Sequence, residues 1–163
     1  MQILLKAASW TSLVSVPVCL LIAPNSSALA ESIGSCANSL ISSGVAKSPA
    51  AVACSDALEP DNLAACVNQI QAGTDIQGNE ALQACYRVRR PDELASCVTT
   101  ISTSLEAGSA MALDTCRRSL LPERHAECTL DLVSVVEISS EEAMKSCITA
   151  EITPGEVAPE TTE

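Results

Sequence analysis

Eight cysteines after residue 30, Cys36, Cys54, Cys66, Cys85, Cys97, Cys116, Cys128 and Cys147, are separated by 18, 12, 19, 12, 19, 12 and 19 residues. Any two consecutive gaps sum to 30 or 31, so the chain is one short unit written four times. A fixed period of this size marks a stacked repeat, because so small a unit buries its apolar face only against its neighbours.

The period runs deeper than cysteine. Unit two opens Pro60-Asp61-Asn62-Leu63-Ala64-Ala65-Cys66-Val67 and reaches Ile70. Unit three opens Pro91-Asp92-Glu93-Leu94-Ala95-Ser96-Cys97-Val98 and reaches Ile101, and unit four opens Pro122-Glu123-Arg124-His125-Ala126-Glu127-Cys128-Thr129 and reaches Leu132. Leu94, Cys97, Val98 and Ile101 fall at i, i+3, i+4 and i+7, one stripe of a helix. Proline suits the first helical position, where no N–H is needed, and the acids behind it suit the positive end of the helix dipole. Breakers follow at Gly73 to Gly78, Gly108-Ser109 and Ser139-Ser140. A second helix then carries Ala81-Leu82 with Cys85, Ala112-Leu113 with Cys116, and Ala143-Met144 with Cys147. Asn79, Ser109 and Ser139 or Ser140 are its expected caps. The next proline stops it, since the residue before a proline is pushed out of the helical region.

The expected fold is all-α: four tandem helical hairpins of about 31 residues, stacked as a short disulfide-stapled solenoid or bundle. Their boundaries are 31–59, 60–90, 91–121 and 122–152, the first unit being degenerate. Residues 153–163 read as a disordered acidic tail rich in Pro and Thr. Residues 1–30 read as a secretory signal, with Lys6 at a weakly positive start, an apolar run from Ala7 to Ala23, and Ala28-Leu29-Ala30 as the small-x-small cleavage pattern. Pro17, Ser12 and Ser15 break the run, and a spanning helix needs about 20 mostly apolar residues. No stable membrane insertion is expected once the segment is removed.

Cleavage there would take Cys19 away and leave an even set of eight, which in an exported chain reads as a disulfide framework. Composition shows the physical need. After residue 30 the chain holds one aromatic, Tyr86. A core of Ala, Leu and Val buries little area per residue, each fully buried Leu or Val being worth about 1.5–3 kcal/mol. Closing a loop of about 20 residues adds roughly 3 kcal/mol in the chain-entropy model. Spacing leaves two pairings level, across the hairpin turn or across the proline turn. Completeness favours the first, Cys36–Cys54, Cys66–Cys85, Cys97–Cys116 and Cys128–Cys147, because the other strands Cys36 and Cys147.

Candidate chemistry is sparse. Zinc sites bring cysteines two to four residues apart, whereas the closest pair here is 12 apart and the single histidine is His125. No metal or other cofactor is expected. His125 takes the register of Leu63 and Leu94, at a packed or half-exposed helix start, and no nucleophile can be named beside it. No enzymatic activity is expected. Arg87, Arg89 and Arg90 end one second helix and Arg117 and Arg118 the next, so stacking gathers them at one edge. Helix-dipole complementation and pairing to Asp92, Glu93 and Glu123 explain them; a small anion- or partner-binding edge is the sharper alternative. The net charge of −11 argues against nucleic acid and anionic membranes as partners.

One stretch departs from the repeat. Leu130, Leu132, Val133, Val135, Val136 and Ile138 are far more apolar than Ser102-Thr103-Ser104 of unit three. They could end in extended structure, as Val and Ile favour strands. They either pack under the last helix or tail, or form an exposed patch for a partner. The possible partner surface is thus Val133, Val135, Val136 and Ile138 together with Arg87, Arg90, Arg117 and Arg118.

Evenly spaced cysteines in an exported helical chain are similar to the cysteine-rich repeats of a Golgi glycoprotein and their bacterial relatives. The glycine-rich turn of those repeats is absent, so nothing is carried over. The function expected is a secreted or periplasmic, non-enzymatic helical-repeat protein that binds another protein or serves structurally. The alternative is a carrier holding an apolar ligand or lipid between helices near Val133 to Ile138.

Overall fold

A computed structural model describes residues 26–86, 88–105 and 107–152. The signal reading for 1–25, the tail reading for 153–163 and the role given to Arg87 lie outside the described residues. Among those described the chain is all-helical, without strands. The helices are α1 Ser26–Ser42, α2 Lys47–Asp56, α3 Pro60–Gly73, α4 Gly78–Cys85, α5 Pro91–Ser104, α6 Ser109–Arg118, α7 Pro122–Asp131 and α8 Ser140–Ile152. A π-helical turn, Leu132–Val136, continues α7. The first helix thus begins before the expected cleavage point after Ala30.

Four hairpins follow in order, and their first helices lie side by side, α1 on α3, α3 on α5 and α5 on α7. The second helices cover them, each packed on its own hairpin partner. Within-hairpin disulfides Cys36–Cys54, Cys66–Cys85, Cys97–Cys116 and Cys128–Cys147 tie the two layers, with Cα–Cα distances of 5.9–6.1 Å. These fall inside the range an unstrained disulfide spans.

Local chemistry explains the elements. Pro60, Pro91 and Pro122 each open a first helix. The residues before them, Glu59, Arg90 and Leu121, share one non-helical conformation, with φ from −139 to −130° and ψ from 72 to 84°. That is the restriction a following proline imposes. The stripe Leu63, Val67 and Ile70, repeated as Leu94, Val98 and Ile101, is buried between neighbouring first helices. The buried core is built mainly from Ala, Leu, Val, Ile and Cys, with His125 and Thr129 standing at the stripe positions of unit four.

The ends of the hairpins form two edges. At the turn edge α1 closes on Gly44, φ +82°, with Val45 N–H donating to Leu40 O at 3.0 Å and Gly44 N–H to Ile41 O at 3.0 Å. This is a Schellman cap, and buried Val45 against Leu40 completes it. A Cβ on Gly78 would stand 2.0 Å from Ser43 O, so the second turn nests against the first only through glycine. Asn68 of α3 accepts from Ser43 Oγ at 2.5 Å and donates to Ser39 Oγ at 2.7 Å, fixing the register of α1 on α3.

Two expectations about caps are corrected. Asn79 lies inside the first turn of α4, whose cap position is Gln77, and Ser109 is the first residue of α6 after Gly108; neither preceding residue makes a side-chain cap bond. Ser139 does cap α8, its hydroxyl accepting from Glu142 N–H at 3.2 Å. The apolar stretch ends in the π-helical turn and not in extended structure, because packing of α7 on α5 and α8 holds it helical.

Candidate functional site

The cysteines after residue 30 are consumed by the fold. All eight are disulfide-bonded, and all but half-buried Cys128 are buried. They offer no thiolate for catalysis or metal ligation. Among the described residues no group of three or more His, Cys, Asp or Glu side chains is placed to hold a metal ion.

His125 is buried, at 3% exposure, in the first turn of α7. Neither Nδ1 nor Nε2 has a hydrogen-bond partner. Burial lowers its pKa below the ordinary 6.5, opposed by the negative charge of Glu151. A neutral imidazole without a hydrogen-bonded nucleophile or orienting carboxylate lacks the geometry of a general base. Glu151, near the end of α8, accepts from Ser119 Oγ at 2.6 Å, from Leu121 N–H at 2.9 Å and from Leu120 N–H. One carboxylate thereby ties α8 to the loop that enters α7.

The proline edge is where the molecule opens. Between the α2–α3 and α4–α5 loops lies a cleft of about 570 Å³, lined among others by Asp56, Leu58, Glu59, Tyr86, Val88 and Arg89. The Tyr86 hydroxyl crosses it to donate to Asp56 Oδ2 at 2.5 Å. A second cleft of about 300 Å³ lies one unit further on, between the α4–α5 and α6–α7 loops. Arg89, Arg90, Arg117, Val88, Leu94 and Leu120 line it. Leu58 and Leu120 stand 97% and 75% exposed beside these clefts.

Arg90 pairs with Glu93 at 3.1 Å and Arg118 with Asp114 at 3.4 Å, each within or just before its own helix. Arg89 and Arg117 have no ion-pair partner among the described residues. The expected pairing with Glu93 is therefore made by Arg90 alone, and Arg118 takes Asp114 instead of an acid across the turn.

The apolar stretch lies at the other edge. Val135 and Val136 are 79% and 55% exposed, while Val133 and Ile138 are half-buried. The sequence-expected partner residues therefore do not form one site: the valines sit at the turn edge of unit four, the arginines at the proline edge. Leu58, Leu120, Tyr86 and Val88 were missed by sequence reasoning. For the two leucines the signal was present in the register, since Leu58, Arg89 and Leu120 each stand four residues after a second-helix cysteine and two before a proline.

Comparison with known proteins finds no family model, no curated protein and no solved structure that matches the chain.

Proposed function

We propose that the chain is an exported, non-enzymatic protein-binding module, secreted or periplasmic after removal of residues 1–30. Four disulfides support an oxidising compartment outside the cytoplasm. Among the described residues no helix is long and apolar enough to cross a membrane. Solenoid stacks of this kind commonly bind through extended surfaces made by successive units.

The observation that carries the reading is a group of exposed apolar side chains at the proline edge, four of the seven large ones among the described residues, the others being Val52, Val135 and Val136. Leu58, Leu120 and Leu121 are all in proline-edge loops, and Ile152 ends the helix that Glu151 ties to the same edge. Apolar groups gathered beside clefts, and not scattered singly, mark interaction sites. The test is capture from the native extracytoplasmic fraction by the wild-type chain and by a Leu58→Glu/Leu120→Glu variant. The expected result is a protein held by the first and lost by the second, with both chains equally stable to heat. Equal capture by both, or none by either, overturns the reading.

The carrier alternative draws its support from the larger cleft, whose volume of about 570 Å³ lies in the usual range for small-molecule sites. That cleft does not touch Val133 to Ile138, so the ligand position moves to the proline edge. A native mass spectrum of the purified protein decides between them: a co-purified small molecule supports the carrier.

A further inference from the structure

A chain of net charge −11 places five of its nine Lys and Arg residues at two successive proline loops: Arg87, Arg89 and Arg90 at one, Arg117 and Arg118 at the other. Helix-dipole complementation accounts for the last two, which end α6. It does not account for Arg89 and Arg90. Both immediately precede the N-terminus of α5, the end where a cation opposes the dipole.

The smaller cleft is the local result. Three arginines line it, and no acidic residue is among its lining. Glu93 satisfies Arg90 alone, and Glu151, the acid touching the α6–α7 loop, already accepts from Ser119, Leu120 and Leu121. Arg89 and Arg117 are left with unpaired guanidinium groups facing one cleft. A guanidinium fork matches a carboxylate in two parallel hydrogen bonds. The two clefts are adjacent, flanking the one loop whose Val88 and Arg89 line both. The larger one supplies Tyr86 and Val88 from the α4–α5 loop, facing Asp56, Leu58 and Glu59 of the α2–α3 loop.

We propose that these two adjacent clefts together form a groove that binds an extended acidic peptide segment of the partner protein. A carboxylate lies between Arg89 and Arg117, and an adjacent apolar side chain enters the larger cleft beside Tyr86 and Val88. The proposal rests on the protein-binding reading and gives its partner a charge and a shape. A free anion would use only the arginine end of the groove. An anionic membrane would meet the repulsion of the rest of an acidic chain.

The test is selection of a phage-displayed library of random heptapeptides on the oxidised, full-length protein. The enriched peptides are then synthesised and titrated against wild type, an Arg89→Gln/Arg117→Gln variant and an Arg124→Gln control. Expected are sequences that pair Asp or Glu with a large apolar residue. The double variant weakens them at least tenfold at an unchanged melting temperature, the control does not, and added salt weakens wild-type binding. Enriched peptides without acids, or acidic peptides indifferent to the double variant, overturn the proposal and leave the protein-binding reading intact. So does a partner captured through Leu58 and Leu120 when no peptide is enriched. Inorganic phosphate and phosphatidylglycerol vesicles are titrated in parallel. Binding to either that depends on Arg89 and Arg117, with no peptide enriched, assigns the groove to that anion and overturns the peptide. Loss of peptide and native capture together overturns both readings.

Discussion

Units three and four are matched in length, in helix starts 31 residues apart and in a disulfide of separation 19, yet they distribute their apolar side chains in opposite ways. In unit three the inward stripe is Leu94, Val98 and Ile101, and the last turn of α5 is Ser102, Thr103 and Ser104. At the same registers unit four buries His125 and Thr129, leaves Leu132 and Val133 half-buried, and exposes Ser134 and Val135. Thr129 is fully buried, its hydroxyl donating to His125 O at 2.8 Å. Unit three has first-helix neighbours on both sides, α3 and α7, whereas unit four has α5 alone. A terminal repeat normally presents a polar outer face, and exposed Glu123, Arg124, Glu127, Glu141, Glu142 and Lys145 supply one here, alongside the exposed Val135 and Val136. The difference teaches that apolar burial holds the middle of the stack, while the C-terminal unit depends more on its disulfide.

The comparison breaks most sharply at its paired registers. Leu94→Ala should cost about 3–4 kcal/mol in urea unfolding, as expected for a fully buried leucine between two helices. His125→Ala, at the matching position, should cost far less, and equal losses would show the two cores to be equivalent.

Removing either disulfide closes off the same chain-entropy contribution, about 3 kcal/mol, because the loops have equal length. Any difference then reports packing. Cys97→Ala/Cys116→Ala should lower global stability by about that amount. Cys128→Ala/Cys147→Ala should instead open residues 122–152 locally, seen as hydrogen exchange confined to that unit. Exchange spreading through α5 would mean that unit four is not the weaker one.

A smaller effect comes from the buried imidazole. His125→Leu restores the repeat's own residue and removes two unpartnered buried nitrogens, and should stabilise by about 1–2 kcal/mol. Acid sensitivity follows from the same group. Burial holds the pKa of His125 below 6.5 in the folded state. The unfolded chain therefore takes up the proton first, and stability falls as pH drops below about 6.5 until the folded-state pKa is passed. Thermal melts across this range should show that loss in wild type and lack this component in His125→Leu. The smallest effect is at the surface: Val135→Ser/Val136→Ser should change stability by no more than about 0.5 kcal/mol, since both valines are already exposed.

Helix starts, the buried stripe and the hairpin order were legible because three units test each assignment at one register. Pro60, Pro91 and Pro122 mark the same event three times. What escaped depended on neighbours. Asn79 looks like a cap, but the Ser43 carbonyl occupies the space a Cβ at residue 78 would need, and the helix is entered at Gly78 with its cap at Gln77, two residues earlier. Val135 and Val136 carry strand propensity, but a helix already seated on α5 overrides it. The burial of His125 reflects α8 folding back through Glu151, a contact between residues 30 positions apart. The clefts arise between loops of successive units and leave no local pattern beyond the spacing of Leu58, Arg89 and Leu120.

If every cysteine after residue 30 is a staple within its own hairpin, recognition is left to the edges of the stack. The direct measurement is peptide mapping, without reduction, of the protein isolated from its native compartment. The predicted map links Cys97 to Cys116 and repeats that bond in every unit, with no free thiol. A Cys85–Cys97 link, or free thiols at the same positions, would contradict it.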